Sequence, residues 1–143
     1  MKVTLKQDRD PDIDFYYDQQ FQIYQEPYLI WGRETWEEVF NTCDVYHIEV
    51  DGKCAGDAIL EDKGRGAKTI VDFSILPGYQ GRGVGKEALE EVKKKGGRLT
   101  AITRKETLGF FFKCGFVLRK TIRDYYFPGV DGYYITFSSA VTL

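Results

Sequence analysis

The stretch from Thr69 to Lys86 limits what this chain can fold into more than any other. Thr69-Ile70-Val71-Asp72-Phe73-Ser74-Ile75-Leu76 is rich in β-branched and apolar residues, and Pro77-Gly78 stops it. Gly81, Gly83 and Gly85 then alternate with Arg82 and Val84, and a polar, amphipathic run follows. A strand that passes through a glycine-rich turn into a helix leaves the first helical amides without partners. Those amides and the positive end of the helix dipole make an anion site. Arg82 and Lys86 add positive charge suited to a pyrophosphate. The helix is expected over roughly 83–95, with Glu87, Glu90 and Glu91 early and Lys93, Lys94 and Lys95 late, four-residue Glu-to-Lys pairs, and Gly96-Gly97 as its stop.

Three phosphate-binding patterns compete for this segment. The Walker pattern fails twice, because Gln80 stands where its first glycine belongs and Glu87 where its hydroxyl belongs. The dinucleotide pattern matches Gly83 to Ala88, but it wants an early strand and several further βα units, and one follows here. The third pattern is Q/R-x-x-G-x-G/A, matched by Gln80-x-x-Gly83-x-Gly85 after Ile75-Leu76-Pro77-Gly78-Tyr79. With Phe111-Phe112-Lys113-Cys114-Gly115-Phe116 downstream, similar to an aromatic-x-K-x-G-F segment, the chain resembles the GCN5-related N-acetyltransferases.

The rest of the chain is read from its periodicity. Val3–Leu5 can form a first strand, and Asp10-Pro11 signals a helix start, with apolar residues at Ile13, Tyr17, Phe21, Tyr24 and Tyr28. Capping boxes at Thr35-x-x-Glu38 and Thr103-x-x-Glu106 mark two further helix starts. Asp51-Gly52 predicts a tight hairpin between residues 45–50 and 54–60, while residues 63–66 read as a loop. Residues 98–102 read as a strand, and two closing strands are expected near 116–126 and 133–140.

Length and composition allow one domain over residues 1–143, and 43% hydrophobic residues supply its core. A net charge of −2 lacks the basic excess of a nucleic-acid binder. Three widely spaced cysteines, no apolar signal core and no membrane-length apolar run lead to the expectation of a soluble, cytoplasmic protein. His47 has no cysteine or histidine partners in sequence, so no metal site is expected and a structural placement is the reading. Cys114 is read as packing.

The resemblance implies an α/β (α+β) fold: a mixed, mostly antiparallel sheet of six or seven strands, about four helices and a splayed central parallel pair. It implies acetyl-CoA as acyl donor, lying between strands around Phe73–Ile75 and Leu99–Ile102. Carried over by position, Phe73, Ser74 and Ile75 would contact pantetheine, with the Ile75 amide polarising the thioester. Gln80, Gly81, Arg82, Gly83, Val84, Gly85 and Lys86 would hold the pyrophosphate. The family's tyrosine acid falls on Phe111 and its glutamate base on Thr69, so neither usual group is present. Tyr125, Tyr126, Cys114 or water could replace the acid. Asp72 is the nearest carboxylate for the base, although strand alternation gives it the opposite parity to Thr69, Val71 and Phe73. The acceptor would be an amine. Asp10, Asp12, Asp14, Asp18 and Glu26, among the aromatics of the first helical region, suggest a cationic one. The resemblance also admits a homodimer through exposed Tyr133, Tyr134 and Phe137, with no membrane partner. The alternative reading is a catalytically weak module that binds CoA or another protein.

Overall fold

Two-residue turns build the first half of the sheet. The structure is a computed structural model and describes residues 1–139. Asp51 (φ 50°) and Gly52 (φ 84°) both take the left-handed region that a tight hairpin demands, joining β2 (Asp44–Val50) to β3 (Lys53–Gly64). Arg65 (φ 55°) and Gly66 (φ 76°) repeat the device between β3 and β4 (Ala67–Ile75). The segment expected to be a loop is therefore a second hairpin, with β4 starting two residues before Thr69. An N-terminal strand, β1 (Val3–Gln7), pairs antiparallel with β2.

The second half contains β5 (Arg98–Thr103), β6 (Val117–Phe127) and β7 (Val130–Ser138). The seven strands make one sheet in the order β1-β2-β3-β4-β5-β7-β6. Its one parallel pair among the described residues is β4–β5, and the other pairings are antiparallel. This is the mixed sheet with a central parallel pair that the resemblance implies. The last strand expected from the sequence runs to Ala140, which lies outside the described residues.

Four helices cover the two faces: α1 (Ile13–Ile23), α2 (Arg33–Thr42), α3 (Val84–Lys93) and α4 (Lys105–Lys113). Their starts differ from the sequence signals. Asp12 caps α1, its side chain accepting from the Asp14 amide, and Asp10 lies outside the helix. Gly32 and Arg104 precede α2 and α4 without a side-chain cap, so neither threonine capping box is used. Thr103 instead bonds Thr107, hydroxyl to hydroxyl. Helix α1 ends before Tyr24, and Tyr28 falls in a separate 3-10 turn, Pro27–Leu29. In α3 the ion pairs form at three-residue spacing, Glu90 with Lys93 and Glu91 with Lys94.

Side-chain alternation splits the core by face. On one face Leu89 of α3 packs with Ile48, Leu60, Leu99 and Ile135 of the sheet, all with no exposed surface. On the other, Tyr16 of α1 and Trp36 of α2 pack with Val45 and Ile59. Burying each such side chain stabilises by about 1.5–3 kcal/mol, enough to override the missing caps at about 1 kcal/mol each. Because β7 lies between β5 and β6, Tyr133, Tyr134 and Phe137 are half-buried, which corrects their expected exposure. The exposed large apolar residues instead include Phe15 and Phe21 of α1 and, toward the β6 side, Phe112, Val117, Leu118, Tyr125 and Phe127.

Two irregularities shape the centre. Ile59 pairs with Asp72 but Leu60 pairs with Ile70, so Val71 is an extra residue in β4, a bulge. Ala55 is likewise extra in β3, and the neighbouring Gly56 (φ 154°) lies so close to β4 that a Cβ there would sit 1.9 Å from the Ser74 carbonyl oxygen. That oxygen belongs to sheet backbone and has no room to retreat. Gly56→Ala should therefore cost about 3 kcal/mol, the upper part of the overpacking range, read as a lower urea midpoint.

Candidate active site

The parallel pair closes only part of its length. Ala67 to Ile70 pair with Arg98 to Ala101, and beyond Ile70 the strands separate. The Leu76 N–H bonds the Ala55 carbonyl 2.8 Å away, so by alternation the amides of Ile75 and Phe73 turn the other way, into the gap. The gap opens into a cleft of about 660 Å³. Phe73, Ser74 and Ile75 form one wall, Ile102 and Thr103 the other, and Phe110 and Phe111 line it from α4.

The glycine turn closes one end. Gln80 Nε2 donates to the Ile75 carbonyl at 2.8 Å, folding the turn back on its own strand. Gly83 precedes α3 at φ 81°, a conformation that strains any residue with a Cβ. The first helical bond runs from the Glu87 amide to the Gly83 carbonyl, which leaves the amides of Val84, Gly85 and Lys86 without helical partners. The structure brings Gln80, Gly81, Gly83, Gly85 and Lys86 to the cleft. It does not bring Arg82 or the Val84 side chain there. Arg82 bonds the Gly78 carbonyl and lies over the Tyr79 ring on the outer side of the turn, and Val84 is fully buried in the core. An anion held here would meet three amides and Lys86.

Asp72 lies on the same cleft wall. The Val71 bulge overturns the parity argument against it: Val71 packs with the α1/α2 core, while Ile70 and Phe73 pack with the opposite one. Val71 and Asp72 thus share one face, and Asp72 points toward α1, where the Tyr24 hydroxyl donates to Oδ1 at 3.2 Å. Asp57 of β3 reaches the same place, accepting from Gln19 Nε2 at 3.1 Å and lying beside Asp72. Burial pushes the Asp57 carboxyl well above the usual carboxylate range, and the charge of Asp72 pushes it further. Burial raises Asp72 as well. Tyr24 is raised by burial and then by Asp72.

Sequence reading did not find Asp57 or the placement of Tyr24. A carboxylate inside the apolar run Ala55–Leu60 was the available signal for the first. Tyr24 had none, because its place depends on α1 ending at Ile23.

Thr69 lies where the strands still pair, its hydroxyl 2.9 Å from that of Thr100. Phe111 is buried edge-to-face against Phe110 and Phe116. Of the replacements for an acid, Tyr126 lines the cleft, its hydroxyl donating to the Ile102 carbonyl at 3.1 Å, and burial pushes it up to about 12. Tyr125 is exposed, and Cys114 is buried in the core beside α3. Asp10, Asp12, Asp14, Asp18 and Glu26 are absent from the cleft lining, whose cations are Lys86 and Arg104. Asp14 pairs with Arg33, and His47 with Asp8 at 3.1 Å, both away from the cleft.

The model of the acetyltransferase (GNAT) domain matches residues 41–118, more than half of the chain. No curated protein sequence matches. Among solved structures, the ribosomal-protein-S18-alanine N-acetyltransferase from Escherichia coli superposes with a TM-score of 0.81 at 18% identity, over 99% of this chain and 97% of that one. A GNAT family acetyltransferase from Elizabethkingia anophelis, solved with acetyl-CoA bound, has a TM-score of 0.74 at 15% identity, over 95% of this chain and 97% of that one. Spermidine/spermine N-acetyltransferase from Vibrio cholerae has a TM-score of 0.73 at 14% identity, over 96% and 92%. At these identities the likeness is one of fold.

The raised carboxyls have a cost that pH exposes. A carboxyl whose native value lies above its unfolded one binds protons better when folded. Its contribution favours folding below the ordinary value of 3.8 and is lost as pH rises through the native value. Asp57→Asn removes that loss. Urea unfolding should show the variant more stable than the parent at about pH 8, with the gap closing toward about pH 4.

Proposed function

The chain belongs to the acetyltransferase (GNAT) family, whose acyl donor is acetyl-CoA, and from that premise we propose that residues 1–143 act as one domain transferring an acetyl group directly to a primary amine. The observation that carries the reading is the split between β4 and β5, with free strand amides on one wall and the unpartnered amides of α3 at one end. A long donor with an extended arm and a pyrophosphate fits that shape: the arm along Phe73–Ile75, the pyrophosphate against Gly83–Lys86. Bound there, acetyl-CoA supplies an activated acyl carbon. The Ile75 amide supplies a preorganised donor for the carbonyl oxygen.

An ammonium has no lone pair, so the acceptor must lose a proton before it attacks. Asp72 is placed to accept that proton, in a wall where burial keeps it more basic than a solvated carboxylate. The departing thiolate needs a proton, and Tyr126 holds one on the cleft wall, its high native value keeping it protonated at neutral pH. These two residues take over the roles that Thr69 and Phe111 cannot fill, which favours an enzyme over an inactive module.

The acceptor is a primary amine on a small molecule, a lysine or a protein N-terminus. It enters past Tyr24, Trp31 and Trp36, whose rings line the cleft. Attraction for a cation falls to the Asp57–Asp72 pair, since the acidic residues around α1 lie elsewhere. Three free cysteines accord with a cytoplasmic setting, and among the described residues no helix is long and apolar enough to cross a membrane.

Calorimetry with acetyl-CoA tests the donor site. Gly83→Glu adds a strained backbone and a negative charge beside the pyrophosphate, and affinity should fall about 100-fold or more; unchanged affinity would place the site elsewhere. Free-thiol release with a panel of amines tests the chemistry. Asp72→Asn should lower kcat/KM by about 10²–10⁴-fold while leaving acetyl-CoA affinity unchanged, and a fully active variant would remove Asp72 as the base.

A further inference from the structure

We propose that Asp57 and Asp72 share a single proton at neutral pH, that Asp57 holds it, and that Asp57 is thereby the positioning residue that presents Asp72 to the acceptor as the pair's one charge. The proposal rests on the reading of Asp72 as the base and extends it to a residue behind the cleft.

The geometry begins with two adjacent strands. Asp57 faces Ser74 and Ile59 faces Asp72 in the β3–β4 register, so the two aspartates are diagonal neighbours. They lie on the same side because the Val71 bulge turns Asp72 toward α1. Their carboxyls lie side by side in one buried site. Two ionised carboxylates only accept, so a hydrogen bond between them requires a proton.

The donors around the pair decide where the proton sits. Asp72 Oδ1 accepts from the Tyr24 hydroxyl at 3.2 Å. Asp57 Oδ2 accepts from Gln19 Nε2 at 3.1 Å. On the far side of that amide the Cys54 thiol lies 3.7 Å from Gln19 Oε1. Asp57 Oδ1 is buried without a hydrogen-bond partner, as is the Ser74 hydroxyl opposite it across the strands. An orphaned buried carboxylate oxygen is strongly destabilising, whereas a protonated Oδ1 turned toward Asp72 satisfies both groups. Asp57 is 2% exposed, while Asp72 borders the cleft, so the charge belongs on Asp72.

The surroundings offer no second counter-charge among the described residues. From α1 and its end the pair meets Gln19, Tyr16 and Tyr24, and from its own strands Cys54 and Ser74. Tyr126 faces it from β6. The nearby cation is Arg104, and it is shared between Glu26 at 3.8 Å and Glu106 at 3.9 Å, with its guanidinium 5.7 Å from the Tyr24 ring centre. Like charges in such a site cannot both ionise, and burial pushes both carboxyls up.

In turnover Asp72 takes one proton from the acceptor's ammonium and becomes a neutral acid beside neutral Asp57. The N–C bond forms as the C–S bond breaks, Tyr126 protonates the departing thiolate, and the second proton lost by the nitrogen restores Tyr126. Asp72 then returns its proton to water. The proton on Asp57 stays in place.

Infrared spectroscopy of the free protein near pH 7 decides the matter without any turnover. The expected result is a protonated-carboxyl C=O band in the unsubstituted protein that disappears in Asp57→Asn. No such band in the unsubstituted protein, or one that survives Asp57→Asn, overturns the proposal, and the first measurement stands even if the variant does not fold. The amide introduced by Asp57→Asn keeps the same pattern, accepting from Gln19 and donating to Asp72. Kinetics with an amine acceptor should therefore show Asp57→Asn within about threefold of the parent in kcat/KM and Asp57→Ala down by about tenfold or more. Equal losses in both variants overturn the positioning role. A band that behaves as expected together with a fully active Asp72→Asn would instead sink the reading of Asp72 as the base and leave the shared proton intact.

Discussion

The divergence of two parallel strands is the constraint from which the rest of this structure follows. Parallel pairing between β4 and β5 holds from Ala67/Arg98 to Ile70/Ala101 and then stops. A sheet interior cannot leave amides and carbonyls unsatisfied, so strands that separate must do so where something polar will take their place. The Val71 bulge lies at the point of separation and twists β4 away from its neighbour. The cleft, the exposed amides of β4 and the position of the glycine turn at its end are consequences of that one break in pairing.

The same bulge carries a second consequence. It turns two consecutive residues toward the α1 side, and so sets Asp72 against Asp57 beneath the cleft. A carboxyl pair in that place opposes folding, because each charge loses its water. Tyr24, Gln19 and the proposed shared proton offset the loss by satisfying the oxygens. Stability is lowered locally, and a carboxyl group is kept beside the proposed donor site. The apolar core on both faces of the sheet, with side chains such as Ile48, Leu89 and Ile135 fully enclosed, supports that local cost.

Thr69 and Phe111 look like losses when the chain is read as a line of residues. In three dimensions both positions are occupied by groups with structural work. Thr69 bonds Thr100 below the split, and Phe111 packs between two other phenylalanines. Polar groups with suitable protons reach the cleft from other elements: Asp72 from β4, Tyr24 from the end of α1 and Tyr126 from β6. The proposed chemistry is held by residues that are distant in sequence and adjacent only after folding.

Local chemistry makes much of this protein legible before folding is considered. Asp51-Gly52 specifies its turn by the backbone angles it tolerates, and Gly81, Gly83 and Gly85 after a β-rich run specify a strand-to-helix turn that leaves the first helical amides without partners. Those signals depend on neighbours within a few residues, and the mixed sheet with its parallel pair is implied by the resemblance they carry. Other features escape for the same reason in reverse. Arg65-Gly66 reads as a loop and folds as a hairpin, and two threonine capping boxes go unused because packing of the apolar helix faces outweighs a cap. Alternation alone misjudges the parity of Asp72 because a bulge is a property of two paired strands, invisible in either alone. By itself the sequence determined the Asp51-Gly52 turn, the glycine turn from strand to helix and the family. Only the tertiary structure decided which face Asp72 takes, that Asp57 and Tyr24 meet it, and that Arg82 turns away from the cleft, since each depends on contacts between segments that no local rule connects.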